Sequence, residues 1–290
     1  MIMKISKLLG AFAALTLSAS IADAQEIAFR IDDMGALHSV NVASIDVYKN
    51  GLATSVEVLT VGAWFPEAVK MLKENPGLDV GVHLAITSEW ENVKWRPLTD
   101  CPSLVDENGY FFPMMGPNPA YPGQSVMENI GKFDIKEIEK EFRAQIELAL
   151  KNIPNVTHIS GHMMSTAINK DVAEMVKRLS EEYGLPSIDR MDSGKQYGFG
   201  YLSYAGPKAT AAEKIASLVK AVENAEPGKK YIFIDHPAYD DSEMQTVMHV
   251  GYEDVAVDRQ GVTDLLKSPE LKAAVEAKGA KVVPIKSFVK

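Results

Sequence analysis

Ile27-Ala28-Phe29-Arg30-Ile31-Asp32-Asp33-Met34-Gly35 is the stretch whose reading decides the fold. Its apolar run predicts a short strand, and two adjacent aspartates and a glycine follow directly. A strand that ends in paired carboxylates delivers two acids to the C-terminal edge of a sheet. Along a regular strand, neighbouring side chains point to opposite faces. Where the strand ends and turns, both can approach one pocket, one to bind a cation and one to act as a base. Asp-Asp before Gly equally suits a solvated turn, so the pair takes its meaning from the rest of the chain.

Further strand-like runs lie at 53–59, 78–86, 156–161, 187–190, 230–235 and 281–285, with helical patterns near 38–49, 65–75, 134–152, 169–183, 209–225 and 261–278. The 134–152 segment has the clearest pattern: Ile135, Ile138, Phe142 and Ala149 form one stripe, with Glu137, Glu139, Lys140 and Glu141 mostly off it. Strands alternating with helices predict an α/β fold with a parallel sheet and right-handed crossovers. The expected architecture is a (β/α) barrel, seven-stranded or otherwise an incomplete TIM-like one; an open doubly wound sheet is the alternative. No Gly-rich phosphate loop follows the first strand, which weakens a dinucleotide reading. Long irregular stretches at 87–133 and 236–260 follow strands, where barrel sites are built.

The first 24 residues read as an export signal: Lys4 and Lys7, an apolar core from Leu8 to Leu17, and the small-x-small site Ala22-Asp23-Ala24. Cleavage near Ala24-Gln25 would release a periplasmic or secreted protein. Residues 25–290 then form one domain of about 265 residues, a normal size for an α/β barrel. The apolar run is too short for stable membrane insertion. Removing Lys4, Lys7 and Asp23 takes the formal charge from −9 to −10, which argues against nucleic acid or anionic lipid as the main partner. The lone cysteine, Cys101, excludes an intramolecular disulfide, and no basic neighbour marks it as a nucleophile.

The chemistry-bearing residues fall at or just beyond predicted strand ends: Asp32-Asp33, His83 in Val80-Gly81-Val82-His83-Leu84, His162 after Val156–Gly161, and His236 in Asp235-His236-Pro237. One Asp and two His make a standard divalent-metal set with positions left open. A single strand-end histidine is ordinary packing chemistry; acidic and imidazole groups gathered on one rim are hard to explain by packing. His158 shares a strand face with Ser160 and His162 by alternation, so it is either a ligand, a donor to one, or a buried hydrogen-bonded residue. Trp90, Trp95 and the Tyr110-Phe111-Phe112 run are candidate sugar platforms or loop packing. Glu89 and Glu91 read as solvated surface. His38 and His249 carry no assigned role.

The opening strand-Asp-Asp-x-Gly, Gly81-x-His83-Leu84, Thr157-His158-x-x-Gly161-His162 and the late His236-Pro237 resemble the YdjC-like carbohydrate deacetylases, distant relatives of NodB-type polysaccharide deacetylases. Asn41, Asn75-Pro76-Gly77-Leu78, Gln145, Arg190 and Arg259 with Asp264-Leu265-Leu266 also match, so the resemblance covers nearly the whole of 25–290. It implies one divalent metal, Zn or Mg, held by Asp33, His83 and His162. It implies Asp32 as general base, His236 as general acid, and Arg190 and Arg259 in substrate binding. The implied reaction removes N-acetyl groups from an amino-sugar oligosaccharide or polysaccharide. A metal phosphohydrolase on a barrel, or a carbohydrate-binding protein with weakened turnover, are the competing readings. The chain departs from the family pattern at Ser160, where Asp is usual, and at Met164, where His is usual. Those losses take an acid and an imidazole from the rim. Export is a second departure.

Overall fold

In the computed structural model, residues 24–188 and 193–289 are described. The expected leader, apart from Ala24, and Arg190 lie outside the described residues. The strands are β1 (Glu26–Met34), β2 (Ser55–Val58), β3 (Asp79–Leu84), β4 (Val156–Gly161), β5 (Phe199–Tyr201), β6 (Lys230–Asp235) and β7 (Lys281–Val282). The helices are α1 (His38–Asn50), α2 (Phe65–Glu74), α3 (Val126–Asn129), α4 (Ile135–Asn152), α5 (Lys170–Tyr183), α6 (Ser193–Tyr197), α7 (Ala211–Asn224), α8 (Val255–Lys267) and α9 (Pro269–Ala277). All strand pairs are parallel, in the order β4-β3-β2-β1-β6-β5, and β7 pairs with the first residues of β1.

β1 is central, and its alternation separates two environments. Ile27, Phe29 and Ile31 pack with Val56, Val58, Val80 and Phe233 beneath Val47, Leu72, Leu218 and Leu265 of the helices. Ala28, Arg30 and Asp32 occupy the other face. There, Ala28 and Ile232 pack with Ile285 and Phe288 of the C-terminal segment. The backbone amides of Ile285 and Lys286 donate to Ser55 Oγ and Asp79 Oδ2, so that segment is tied beneath the sheet's inner face. The sheet curls so that Arg30, His83, His162 and Ile234, from both sides of β1, line one cavity of about 310 Å3.

The α/β class and parallel sheet agree with expectation, and the curled sheet is an incomplete barrel. Among the described residues no ladder joins β4 to β5. The expected strand at 187–190 is a single parallel bridge from Ser187 to Ile159, with its last two positions outside the described residues. β5 was not anticipated: three residues preceded and interrupted by Gly198 and Gly200 carry no readable alternation. The expected helix at 261–278 is two. The Ser268 side chain caps α9 by accepting from Leu271 N, and Pro269 at its first turn has no N–H with which to continue α8.

The exit of β1 aims both aspartates. Ile31 pairs with Val56, but the next pair is Met34 with Val58, so β1 carries one extra residue. Such a bulge bends the strand and redirects a side chain. Asp33 absorbs it in the left-handed region at φ 75°, an uncommon conformation outside glycine. Gly35 comes two residues later at φ 101°, and a Cβ there would lie 2.7 Å from Leu59 O. Its amide is held by Asn41 Oδ1 at 2.6 Å.

Gly35→Ala should therefore cost about 1–3 kcal/mol of stability, read by urea unfolding, because both φ and space are denied. A second expectation concerns Asp46, which ties α1 to Lys267 of α8 and to Tyr239. Burial opposes ionisation there, but hydrogen bonds from Lys267, Tyr239 and Asn50 hold the Asp46 carboxyl down to about 2. A depressed carboxylate contributes stability above its unfolded pKa of about 3.9 and loses it as pH falls towards the folded value. Asp46→Asn should cost about 0.5–1 kcal/mol at pH 7, discounted for solvent screening, and the deficit should shrink as pH falls below about 4 and be lost only below about 2.

Candidate active site

The two carboxylates of the β1 exit have different partners. Arg30 forks onto Asp32, Nε to Oδ1 at 2.6 Å and Nη2 to Oδ2 at 2.8 Å. A bidentate guanidinium fixes the orientation of a carboxylate as well as its charge. Asp33 Oδ2 accepts from Arg259 Nη2 at 3.0 Å. Asp33 Oδ1 is buried with no hydrogen-bond partner. It faces His162 Nδ1 at 3.3 Å and His83 Nε2 at 3.8 Å. Burial alone would raise the Asp33 pKa, but His236, His162 and Arg259 hold it well below the usual carboxylate range.

His83, on β3, has its ring state set from behind. Its Nδ1 lies 2.8 Å from Ser160 Oγ, and Ser160 donates its hydroxyl to Glu57 Oε2 at 2.5 Å. A hydroxyl has one proton, so Ser160 accepts from His83 Nδ1–H, and the Nε2 lone pair faces both aspartates, 3.7 Å from Asp32 Oδ2 and 3.8 Å from Asp33 Oδ1. Burial pushes the His83 pKa down to about 4, which keeps the ring neutral. His162 follows β4, with Nε2 3.1 Å from Glu89 Oε2. Burial opposes its charging, but Glu89 and Asp33 hold its pKa up to about 10. Each ring nitrogen thus faces a carboxylate, Nε2 Glu89 and Nδ1 Asp33, and a metal would compete with a proton on Nδ1.

Asp33, His83 and His162 each offer a ligand atom, all within 4.8 Å of one another. The unpartnered Asp33 oxygen, the neutral His83 nitrogen and the mixed carboxylate–imidazole donors fit a divalent ion. His236, just past β6, stands 3.9 Å from Asp33 Oδ2 through Nε2 and 3.6 Å from Asp235 Oδ1 through Nδ1. Its burial opposes a charge, but Asp33 and Asp235 raise its pKa, and the ring lies on the cavity wall.

Asp32, Asp33, His83, His162 and His236 thus come together in one cavity. Arg259 reaches it from α8 and is engaged with Asp33. Trp90 lines the cavity but is 2% exposed, with Arg259 over its ring at 5.1 Å and His249 stacked at 5.7 Å. Trp95 is 4% exposed, edge-on to His162, and its indole N–H donates to Thr87 O. Trp90 thus forms part of the cavity wall, while Trp95 packs against His162; His249 is the less buried ring of the Trp90 stack. His158 is buried and holds Glu57 and Thr157 at 2.7 Å each, so it is not among the metal-facing groups. His38 pairs with Glu67 outside the cavity. Cys101 is buried, its thiol pushed up to about 12 chiefly by burial, with no nucleophilic character.

Three site residues escaped the sequence reading. Glu89 was expected at the surface and is 5% exposed against His162, because Trp90 and Trp95 fold its loop over the rim. Arg30 and Glu57 sit inside apolar strands. A lone acid in Ser55-Val56-Glu57-Val58 and a lone base in Phe29-Arg30-Ile31 are the signals that could have found them.

A carbohydrate deacetylase of Thermus thermophilus is 37% identical over 154 residues, 53% of this chain and 49% of that protein. One from Geobacillus stearothermophilus is 26% identical over 266 residues, 89% of this chain and 96% of that protein. The chain spans about half the length of the first curated relatives it matches. A crystal structure from Enterococcus faecalis, provisionally titled a cellobiose-phosphate cleavage protein, superposes with TM-score 0.73 at 26% identity. It covers 92% of this chain and 100% of that one. The family described as YdjC-like protein matches residues 26–277, and the chain belongs to it.

Proposed function

We propose that this protein is a metal-dependent hydrolase that removes N-acetyl groups from an amino-sugar oligosaccharide or polysaccharide. The observation that carries the proposal is the pairing of an unpartnered, buried Asp33 oxygen with two imidazoles beside a second, separately anchored carboxylate. The names of the curated relatives support the carbohydrate deacetylase reading.

The division of labour rests on the contacts. Asp33, His83 and His162 would hold the ion, Zn or Mg, which when bound supplies Lewis acidity to the acetyl oxygen and to water. Asp32, fixed by Arg30 and outside the ligand set, accepts the proton of the attacking water. His236, on the cavity wall beside Asp33, delivers a proton to the leaving amine. Arg259 holds Asp33 in place. Water is kept from below by the segment around Ile285 and Phe288. The sugar occupies the open side of the cavity, against His249, Met164 and Tyr252. Among the described residues one group of carboxylate and imidazole atoms is close enough to hold an ion, which favours this reading over a two-metal phosphohydrolase. An export signal at 1–24, which Lys4, Lys7 and the apolar run after them suggest, would place that action outside the cytoplasm.

Purified protein supplied with metal should release acetate from N-acetylglucosamine oligomers. No release across a panel of acetylated sugars, with metal bound, would contradict the proposal. Asp32→Asn should keep its metal and lose about 10²–10⁴-fold in kcat. Loss of metal with that substitution would overturn the assignment of Asp32 as base.

A further inference from the structure

Glu57 is the buried acid that the proposed reaction does not yet use. It lies on β2, fully buried, and both its oxygens are engaged. Oε1 lies 2.7 Å from His158 Nε2 and 3.3 Å from Arg30 Nε. Oε2 accepts from Ser160 Oγ at 2.5 Å. A charge taken this far from water is tolerated only when its partners are in place.

The sheet is built around it. Glu57 is in register with Gly81 of β3, and Gly81 with His158 of β4. A Cβ at Gly81 would lie 2.1 Å from Glu57 Oε2 and 2.5 Å from His158 Nε2. The missing side chain lets the carboxylate reach across β3 to β4. On β4 the register slips between Val156 and His158, placing His158 opposite Gly81.

Two functional groups hang from this one carboxylate. An ionised carboxylate can only accept, so the Ser160 hydroxyl must donate to it and accept from His83 Nδ1–H. Without Glu57, Ser160 is free to donate to His83 instead, which moves the ring proton to Nε2 and removes the lone pair facing Asp33. Glu57 also shares the guanidinium that forks onto Asp32. We propose that Glu57 is the positioning residue of the site, supplying from β2, through Ser160, the carboxylate that orients His83 towards the metal and, through Arg30, the one that steadies Asp32. This rests on the metal-dependent reading for its ligand role; the His83 tautomer is a property of the metal-free protein.

The test therefore has two readouts. Nitrogen-15 NMR of the metal-free full chain should show His83 protonated at Nδ1. Calorimetric titration with Zn alone should show Ser160→Ala and Glu57→Ser each weakening affinity by about 10–100-fold. The double variant Glu57→Ser with Ser160→Asp, which moves the acid to β4, should return to within about threefold of the parent chain. Circular dichroism of each variant without metal checks its fold. His83 protonated at Nε2 in the parent chain would overturn the proposal, as would a double variant that binds no better than Glu57→Ser. A parent chain with His83 protonated at Nδ1 that binds no divalent ion would uphold the tautomer and overturn the metal-dependent reading instead.

Discussion

The site depends on one backbone conformation. Asp33 sits at φ 75° in a bulge at the end of the central strand. A regular strand would send Asp32 and Asp33 to opposite faces. The extra residue brings both carboxylates to the inner rim, where Arg30 takes one and Arg259 with two imidazoles takes the other. Left-handed backbone at such a residue costs on the order of 1–3 kcal/mol. Two neighbours in the turn hold it: Gly35, which alone fits against Leu59 O, and the Asn41 side chain that fixes the Gly35 amide.

Stability and function occupy opposite faces of the same sheet. The outer face is apolar, with Ile27, Phe29 and Ile31 fully buried under helices, each contributing about 1.5–3 kcal/mol of transfer free energy. The inner face carries a column of polar groups from Asp79 and Thr157 through His158, Glu57 and Ser160 to His83. Buried ion pairs of this kind gain little net stability, because desolvation offsets the attraction. Their contribution is fixed orientation. Both imidazoles of the proposed ligand set are backed by an acid: His162 by Glu89 directly, His83 by Glu57 through Ser160.

Residues whose types carry chemistry were legible in the sequence, and residues whose burial carries it were not. Asp32-Asp33, His83, His162 and His236 stand at strand ends, so linear order was enough to place them on one rim. Glu57 and Arg30 look like surface charges to periodicity, since β2 and β1 alternate only in the folded sheet. Glu89 lies in a long loop whose path is set by Trp90 and Trp95 packing, which no local pattern encodes. The Trp rings, read as sugar platforms or loop packing, are both buried, because loops with aromatic runs can bury their own rings. The fold was legible to the level of parallel α/β. The single-residue bridge at Ser187, the three-residue β5 and the break at Ser268-Pro269 depend on tertiary pairing and capping that a helical or alternating period does not record.

Anomalous diffraction from crystals soaked in Zn tests the central claim most directly. The account predicts one peak bounded by Asp33 Oδ1, His83 Nε2 and His162 Nδ1, with Asp32 still in the fork of Arg30. A principal peak that includes Asp32 among its ligands, or one outside this cavity, would contradict it.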